Sequence, residues 1–151
     1  MGRMITIPIR NVAMPTADAD FDIFEVVMGA NFRGALHMIS LSTNDTTGQV
    51  LDLALVRRST TGSGGTAITE VADDQGNART PDPAASRFVT TPGTLSSTGP
   101  SWQWNTRNEL LYIPTPECRE VISESGRLCL HCATEVTGSI ALNGFIKIEE
   151  F

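Results

Sequence analysis

Leu51, Leu53 and Leu55 alternate with Asp52, Ala54 and Val56. Apolar residues at every second position share one side only in a β-strand, where successive side chains point to opposite faces. The run continues to Arg58, meets a Ser/Thr/Gly segment at residues 59–66, and gives way to a second strand-like run from Ala67. Gly62, Gly64 and Gly65 are expected to supply the positive φ angles of a tight reversal. Residues 51–69 therefore predict the central hairpin of an all-β domain.

The same period recurs along the chain. Residues 4–9 place Ile5, Ile7 and Ile9 on one side, with Thr6 and Pro8 on the other, as in an edge strand or an arm laid against something. Residues 21–28 and 35–42 are strands with apolar residues on both sides, a pattern found in the middle of a sandwich or under a neighbouring subunit. In the second of these, His37, Ile39 and Leu41 share one side and Leu36, Met38 and Ser40 the other. Shorter strands are expected at 87–91, 102–104, 110–113 and 120–122, and longer ones at 126–133 and 138–148. Nothing holds a helical apolar period over the ~10–12 positions a helix needs. The prediction is an all-β, antiparallel β-sandwich of about eight to ten strands, a jelly roll, with an extended N-terminal arm. Residues 1–19 form the arm and linker, and residues 20–151 the sandwich domain. Two long polar loops are expected at 72–86 and 92–101, against a usual length of about four to six residues.

A chain of 151 residues has enough core to fold without a disulfide or metal. The net charge of −6 argues against nucleic acid as a partner. Arg57 and Arg58 are adjacent and so point to opposite faces, which makes no phosphate patch. No apolar run approaches the roughly 18 residues of a membrane span, and the first residues lack the apolar core of a secretory signal. Three cysteines, Cys118, Cys129 and Cys132, suggest free thiols in a reducing compartment, with synthesis in the cytosol.

The motifs that could carry chemistry read as structural. Cys129 and Cys132 enclose His131, but residues three apart on a strand diverge, which argues against a zinc or redox pair. The segment TGSGGT lacks the Lys-Ser/Thr of a phosphate loop and the helix that would follow it. Only His37 and His131 are available as histidines. Asp18, Asp20 and Asp22, like Asp73 and Asp74, read as surface carboxylates. No catalytic set, metal or cofactor is expected, and the chain is read as non-enzymatic. Trp102 and Trp104 share a face, and serve either as core anchors or as a stacking platform for sugar or a partner.

Residues 53–59 (LALVRRS), the glycine turn at 62–65, DPAA at 82–85, the WQWN run, LYIPTP at 111–116 and the segment from Gly126 into the closing strand resemble small structural proteins of tailed bacteriophages. The likeness runs from about residue 20 to the end. It implies a virion accessory protein of β-sandwich type that binds the capsid exterior as a decoration or cement protein. Its partners would be the major capsid protein lattice and itself, as a dimer or trimer. A tail or fibre adaptor and a carbohydrate-binding host-recognition module are the alternatives. The expected contact elements are the arm and the loops: Ile5, Ile7, Ile9, Asp73, Asp74, Arg79, Asp82, Trp102 and Trp104.

Overall fold

In the computed structural model, which describes residues 2–74, 76 and 78–151, the chain forms two antiparallel sheets packed face to face. The first sheet contains β1 (Arg3–Ala13), β3 (Gly34–Thr43), β6 (Val71–Ala72), β9 (Leu110–Tyr112), β10 (Val121–Ile122) and β12 (Ala141–Glu150). The second contains β2 (Phe21–Val27), β4 (Val50–Arg58), β5 (Thr66–Ile68), β7 (Ala84–Val89), β8 (Leu95–Asn105) and β11 (Arg127–Cys132). The first runs β10-β3-β12-β1-β6, with β9 also on β3, and the second β5-β7-β2-β11-β4-β8. From β1 to β4 each strand lies in the sheet opposite its predecessor, so each connection crosses between layers. Among the described residues the helical content is a single 3-10 turn, Pro116–Cys118. None of them forms a helix long and apolar enough to cross a membrane.

The core fills the space between the sheets. Leu51, Leu53 and Leu55 face it from β4, Leu128, Leu130 and Cys132 from β11, and Ile146 and Ile148 from β12. The expected arm is strand β1 over Arg3–Ala13 and does not hang free. Ile5, Ile7 and Ile9 are at most 1% exposed, and β1 pairs with β12 along its length and with β6 at two residues. Burying three isoleucines is worth about 2 kcal/mol each, so detaching this strand would be costly. Past β6 no strand among the described residues pairs with the far edge of β1, where a strand tolerates the missing N–H of Pro8.

The central hairpin does not form. β4 pairs with β11 and β8, while β5 pairs with β7, and three strands separate β4 from β5. Residues 59–65 instead cross the end of the sheet. Only Gly64 of the three glycines has a positive φ, at 79°. Gly62 and Gly65 are required by close approach, since a Cβ there would stand 2.3 and 2.8 Å from the Val89 side chain. The loop expected at 92–101 is mostly β8, an edge strand. Leu95 to Ser101 are exposed throughout, so no burial imposes an apolar period for a sequence reading to find. The loop expected at 72–86 narrows to the stretch between β6 and β7, of which Gln75 and Asn77 lie outside the described residues.

Two register shifts reset which residues face inward. In β3, Met38 pairs with Lys147 and Leu36 with Ile148, leaving His37 as the extra residue. Leu36 thereby joins Ile39 and Leu41 in the core, and His37 turns out to meet Glu149 at 2.8 Å. In β2, Phe24 pairs with Leu130 and Asp22 with His131, leaving Ile23 extra. Asp22 and Glu25 are three residues apart and would point to opposite faces of a regular strand. The bulge turns both outward.

Candidate functional site

The outward side chains of β2, β4 and β11 form a polar cluster on the outer face of the second sheet. Arg58 grips Asp22 side-on, with Nε to Oδ2 and Nη2 to Oδ1 both 2.7 Å. Its Nη1 donates to the Gly93 carbonyl at 2.8 Å. His131 places Nδ1 2.9 Å from Asp22 Oδ1 and Nε2 2.9 Å from Asp20 Oδ1. Asp22 is closed from water, whereas the Asp20 side chain is 75% exposed. Glu25 accepts the Gly62 N–H at 3.1 Å and lies beside the Cys129 thiol, Sγ to Oε2 3.9 Å. The 59–65 crossing and the Pro92–Gly93 turn thus hold down a cluster that a two-layer sandwich would otherwise leave open.

The electrostatics follow from burial and pairing. Burial pushes the Asp22 carboxyl up, but hydrogen bonds from His131 and Arg58 together with their charges outweigh it and hold it below the usual carboxylate range. The bond to Asp22 raises His131, against burial and the Arg58 charge. Both ring nitrogens face carboxylates, so when protonated the ring donates twice, and the 3.2 Å approach of Arg58 Nη2 to Nδ1 then sets two cations on one carboxylate. Burial, with the Asp22 and Glu25 charges, drives the Cys129 thiol far above its normal value, so it is no nucleophile. Asp22, Glu25 and Cys129 bring ligand atoms within 4.8 Å of one another. They make a poor cation site. Both Asp22 oxygens are taken, the sulfur is held protonated, and the Arg58 guanidinium already supplies the positive charge.

Beside this cluster a cleft of about 360 Å³ is lined by Asp20, Ala54, Val56, Arg58, Pro92, Leu95, Thr98 and His131. Sequence reasoning missed it. Asp22 and Arg58 carry no sign of being partners 36 residues apart, and the β2 bulge that aligns Asp22 with Glu25 leaves no mark in the apolar pattern. The available signal was a charged residue inside an otherwise apolar strand, twice in FDIFEVV.

The residues expected to bind partners are scattered. Ile5, Ile7 and Ile9 are core. Asp73 is held by Lys147 Nζ and Thr6 Oγ1, at 2.7 and 2.5 Å, and both interactions keep its carboxyl below the usual range. Asp74 is exposed and caps the Gly76 N–H. Arg79 pairs with Glu150 and stacks over Phe32, 4.1 Å from the ring centroid. The Asp82 N–H donates to Glu150 Oε2 at 2.9 Å. Arg3 completes the shell around Glu150, whose side chain is fully buried. The acidic loop is therefore fastened to the first sheet. Trp104 is buried, its Nε1 donating to the Asn108 carbonyl at 2.9 Å. Trp102 stacks on Tyr112 of the opposite sheet, centroids 5.3 Å apart and planes 14° from parallel. The pair closes one end of the core and leaves no flat aromatic platform.

A different surface carries several exposed or half-buried apolar side chains. Across the outer face of the first sheet Pro8 pairs with Phe145, Phe145 with Ser40, and Ser40 with Leu111. Met38 sits in the next row beside Lys147. Leu111 and Ile113 are 55% and 57% exposed, and Pro8, Met38 and Phe145 are half-buried. Among the described residues no further layer covers this face.

Comparison with known proteins finds no matching family model, no matching curated protein and no matching solved structure.

Proposed function

We propose that the chain is a non-enzymatic bacteriophage structural protein that binds the capsid exterior as a decoration or cement protein, and so resides in the virion. The observation that carries this reading is the row Pro8–Phe145–Ser40–Leu111, apolar except for Ser40, on the face of the first sheet that no further layer covers among the described residues. An outer sheet face is normally polar, and an apolar one rimmed by polar residues suits a protein partner. A repeated lattice lets contacts of this modest size hold by multivalency. The same face serves self-association into a dimer or trimer. We read the strand orders β1-β12-β3-β9 and β2-β11-β4-β8 as the two interleaved Greek keys of a jelly roll, a scaffold that suits assembly proteins. The carbohydrate-binding alternative has less support, because Trp104 is buried and Trp102 faces Tyr112.

The test is co-sedimentation with purified capsids of the encoding phage. The wild-type chain should pellet with them. The double variant Phe145→Asp, Leu111→Asp should keep its thermal midpoint within a few degrees and lose pelleting. Pelleting undiminished by the double variant would remove this face from the reading, and no pelleting of wild type would remove the capsid.

A further inference from the structure

The edges of the two sheets are unequal. Along three of them lie strands of two or three residues: β9 and β10 on β3, β6 on β1, and β5 on β7. Beyond β6 the edge of β1 carries Pro8 and Arg10 and is broken by a register shift between Ile9 and Val12. Short strands, proline, charge and bulges all keep a sheet edge from pairing with another chain. β8 ends the second sheet with eleven residues, none of them charged. Its first half is bulged against β4, but Ser101 to Asn105 pair with Ala54 to Val50 without a break. Within that stretch the Asp52 N–H donates to Thr134 Oγ1, and its carbonyl accepts the Ala133 N–H, both on the β11 side. Asp52 therefore offers no backbone group to Gln103, its partner in the register, and the N–H and C=O of Gln103 point to the open edge. By alternation those of Ser101 and Asn105 do the same, and the Asn105 carbonyl is met there by the Asn108 N–H.

We propose that a second copy of this chain pairs antiparallel with this edge, across a two-fold axis at Gln103. Unpaired backbone groups need a strand as their complement. Among the described residues β8 is the one long, uncharged open edge that a copy offers in return. Pairing of like with like closes after two copies, whereas pairing with a different edge would propagate. About this axis each Gln103 faces its counterpart, and each Ser101 faces the other copy's Asn105. The Gln103 carboxamide is self-complementary. Its Nε2 donates one hydrogen to Asp52 Oδ1 at 3.0 Å, which leaves the other N–H and Oε1 for its counterpart. No like charges meet at the axis. Asp52, one strand back, would lie three strand spacings from its counterpart, about 14 Å, where salt screens the repulsion. A foreign strand would satisfy the backbone equally, and the uncharged, self-matching row of Ser101, Gln103 and Asn105 favours a second copy. The edge belongs to the second sheet, so this contact is separate from the first-sheet face and leaves it free for a capsid.

The experiment is sedimentation equilibrium on the full chain. The interface is small, so dimer should appear as concentration rises toward about 1 mM. Gln103→Lys and Gln103→Glu should each weaken it roughly tenfold by setting like charges opposite each other, and an equimolar mixture of the two should restore it. Restoration requires residue 103 to face itself. Both variants should keep the wild-type thermal midpoint within a few degrees, because the Gln103 backbone takes no part in the β4 ladder. With Cys118→Ser removing the exposed thiol, Gln103→Cys should give a disulfide-linked dimer under mild oxidation. Facing residues of such a pair lie about 5.5 Å apart at Cα, within disulfide reach. Asp74→Cys in the same background, on an exposed loop, should not cross-link. A monomer at about 1 mM, dimer undiminished by Gln103→Lys, no restoration in the mixture, or equal cross-linking through Asp74→Cys would each overturn the proposal. Dimer lost in Phe145→Asp, Leu111→Asp but kept in Gln103→Lys would put self-association on the first sheet and overturn it too. A monomeric chain whose Gln103→Lys variant stops pelleting with capsids would give the edge to a capsid strand instead. A dimer that behaves as expected but never pellets keeps this contact and loses the assembly reading.

Discussion

Arg58 and Asp22 form a two-pronged ion pair, both contacts 2.7 Å, on the outer face of a sheet, with side chains 6% and 0% exposed. Outer faces usually leave such pairs in water, where they are worth little. Here the 59–65 crossing and the Pro92–Gly93 turn remove that water, and each charge depends on the other.

Arg58→Met should therefore cost about 3 kcal/mol or more, because it leaves Asp22 buried with only His131 for compensation. The double variant Arg58→Met, Asp22→Leu should recover much of that loss, since an apolar pair needs no desolvated charge. Urea titration of the four proteins in a double-mutant cycle reads the coupling directly. Independent effects would mean the pair is solvated.

Stability should peak between the acid and alkaline sides of this cluster. Asp22 is lowered on folding, so its contribution is present above its ordinary value of 3.8 and disappears as pH falls through the folded value. His131 is raised, so its contribution is full below its ordinary value of 6.5 and disappears as pH rises through the folded value. Thermal midpoints from pH 3 to 9 should show both limbs. His131→Gln should remove the alkaline limb and leave the acid one.

The thiols should separate by reactivity. Cys118 is exposed, while Cys129 and Cys132 are buried and raised mainly by that burial. A thiol reagent should label one site per chain in the native state and three in urea. Rapid native labelling of Cys129 would mean that the 59–65 crossing opens readily.

Gly144→Ala should be among the most damaging single changes. Gly144 has φ 146°, and a Cβ there would stand 1.9 Å from the Ser40 carbonyl oxygen on the neighbouring strand. The backbone strain and the forced shift of β3 together should cost about 3 kcal/mol or more. The thermal midpoint measures it, and a neutral result would show that β12 and β3 can separate locally.

Removing residues 73–82 should destabilise the fold as well as alter the surface. The deletion takes the Arg79 guanidinium and the Asp82 N–H from Glu150, leaving its buried carboxylate to Arg3 alone. It also frees Lys147 from Asp73. We expect a loss of about 2 kcal/mol. A truncated chain as stable as wild type would mean that water replaces these partners at no cost.

What the chain determined on its own was the alternation. Leu51, Leu53 and Leu55, the three isoleucines of β1 and the closing run of β12 make strands with one buried side, because a period of two leaves no other way to collect apolar surface. Two sheets then follow, since each must cover the other. The divergence of Cys129 from Cys132 and of Arg57 from Arg58 was legible by the same rule. Tertiary structure decided the rest. Whether β4 turns back on itself or takes β11 and β8 as neighbours is a choice between non-local pairings, and the Ser/Thr/Gly segment permits either. The first part of β8, residues 95–101, was invisible as strand because an exposed edge needs no apolar period, and only its end at 102–104 was legible. The candidate site depends on the bulge at Ile23, a one-residue slip that reverses which side chains share a face. Local pattern holds no record of that slip. Only the partner strand β11, aligned so that Asp22 meets His131 and Phe24 meets Leu130, puts Asp22 and Glu25 on the same side.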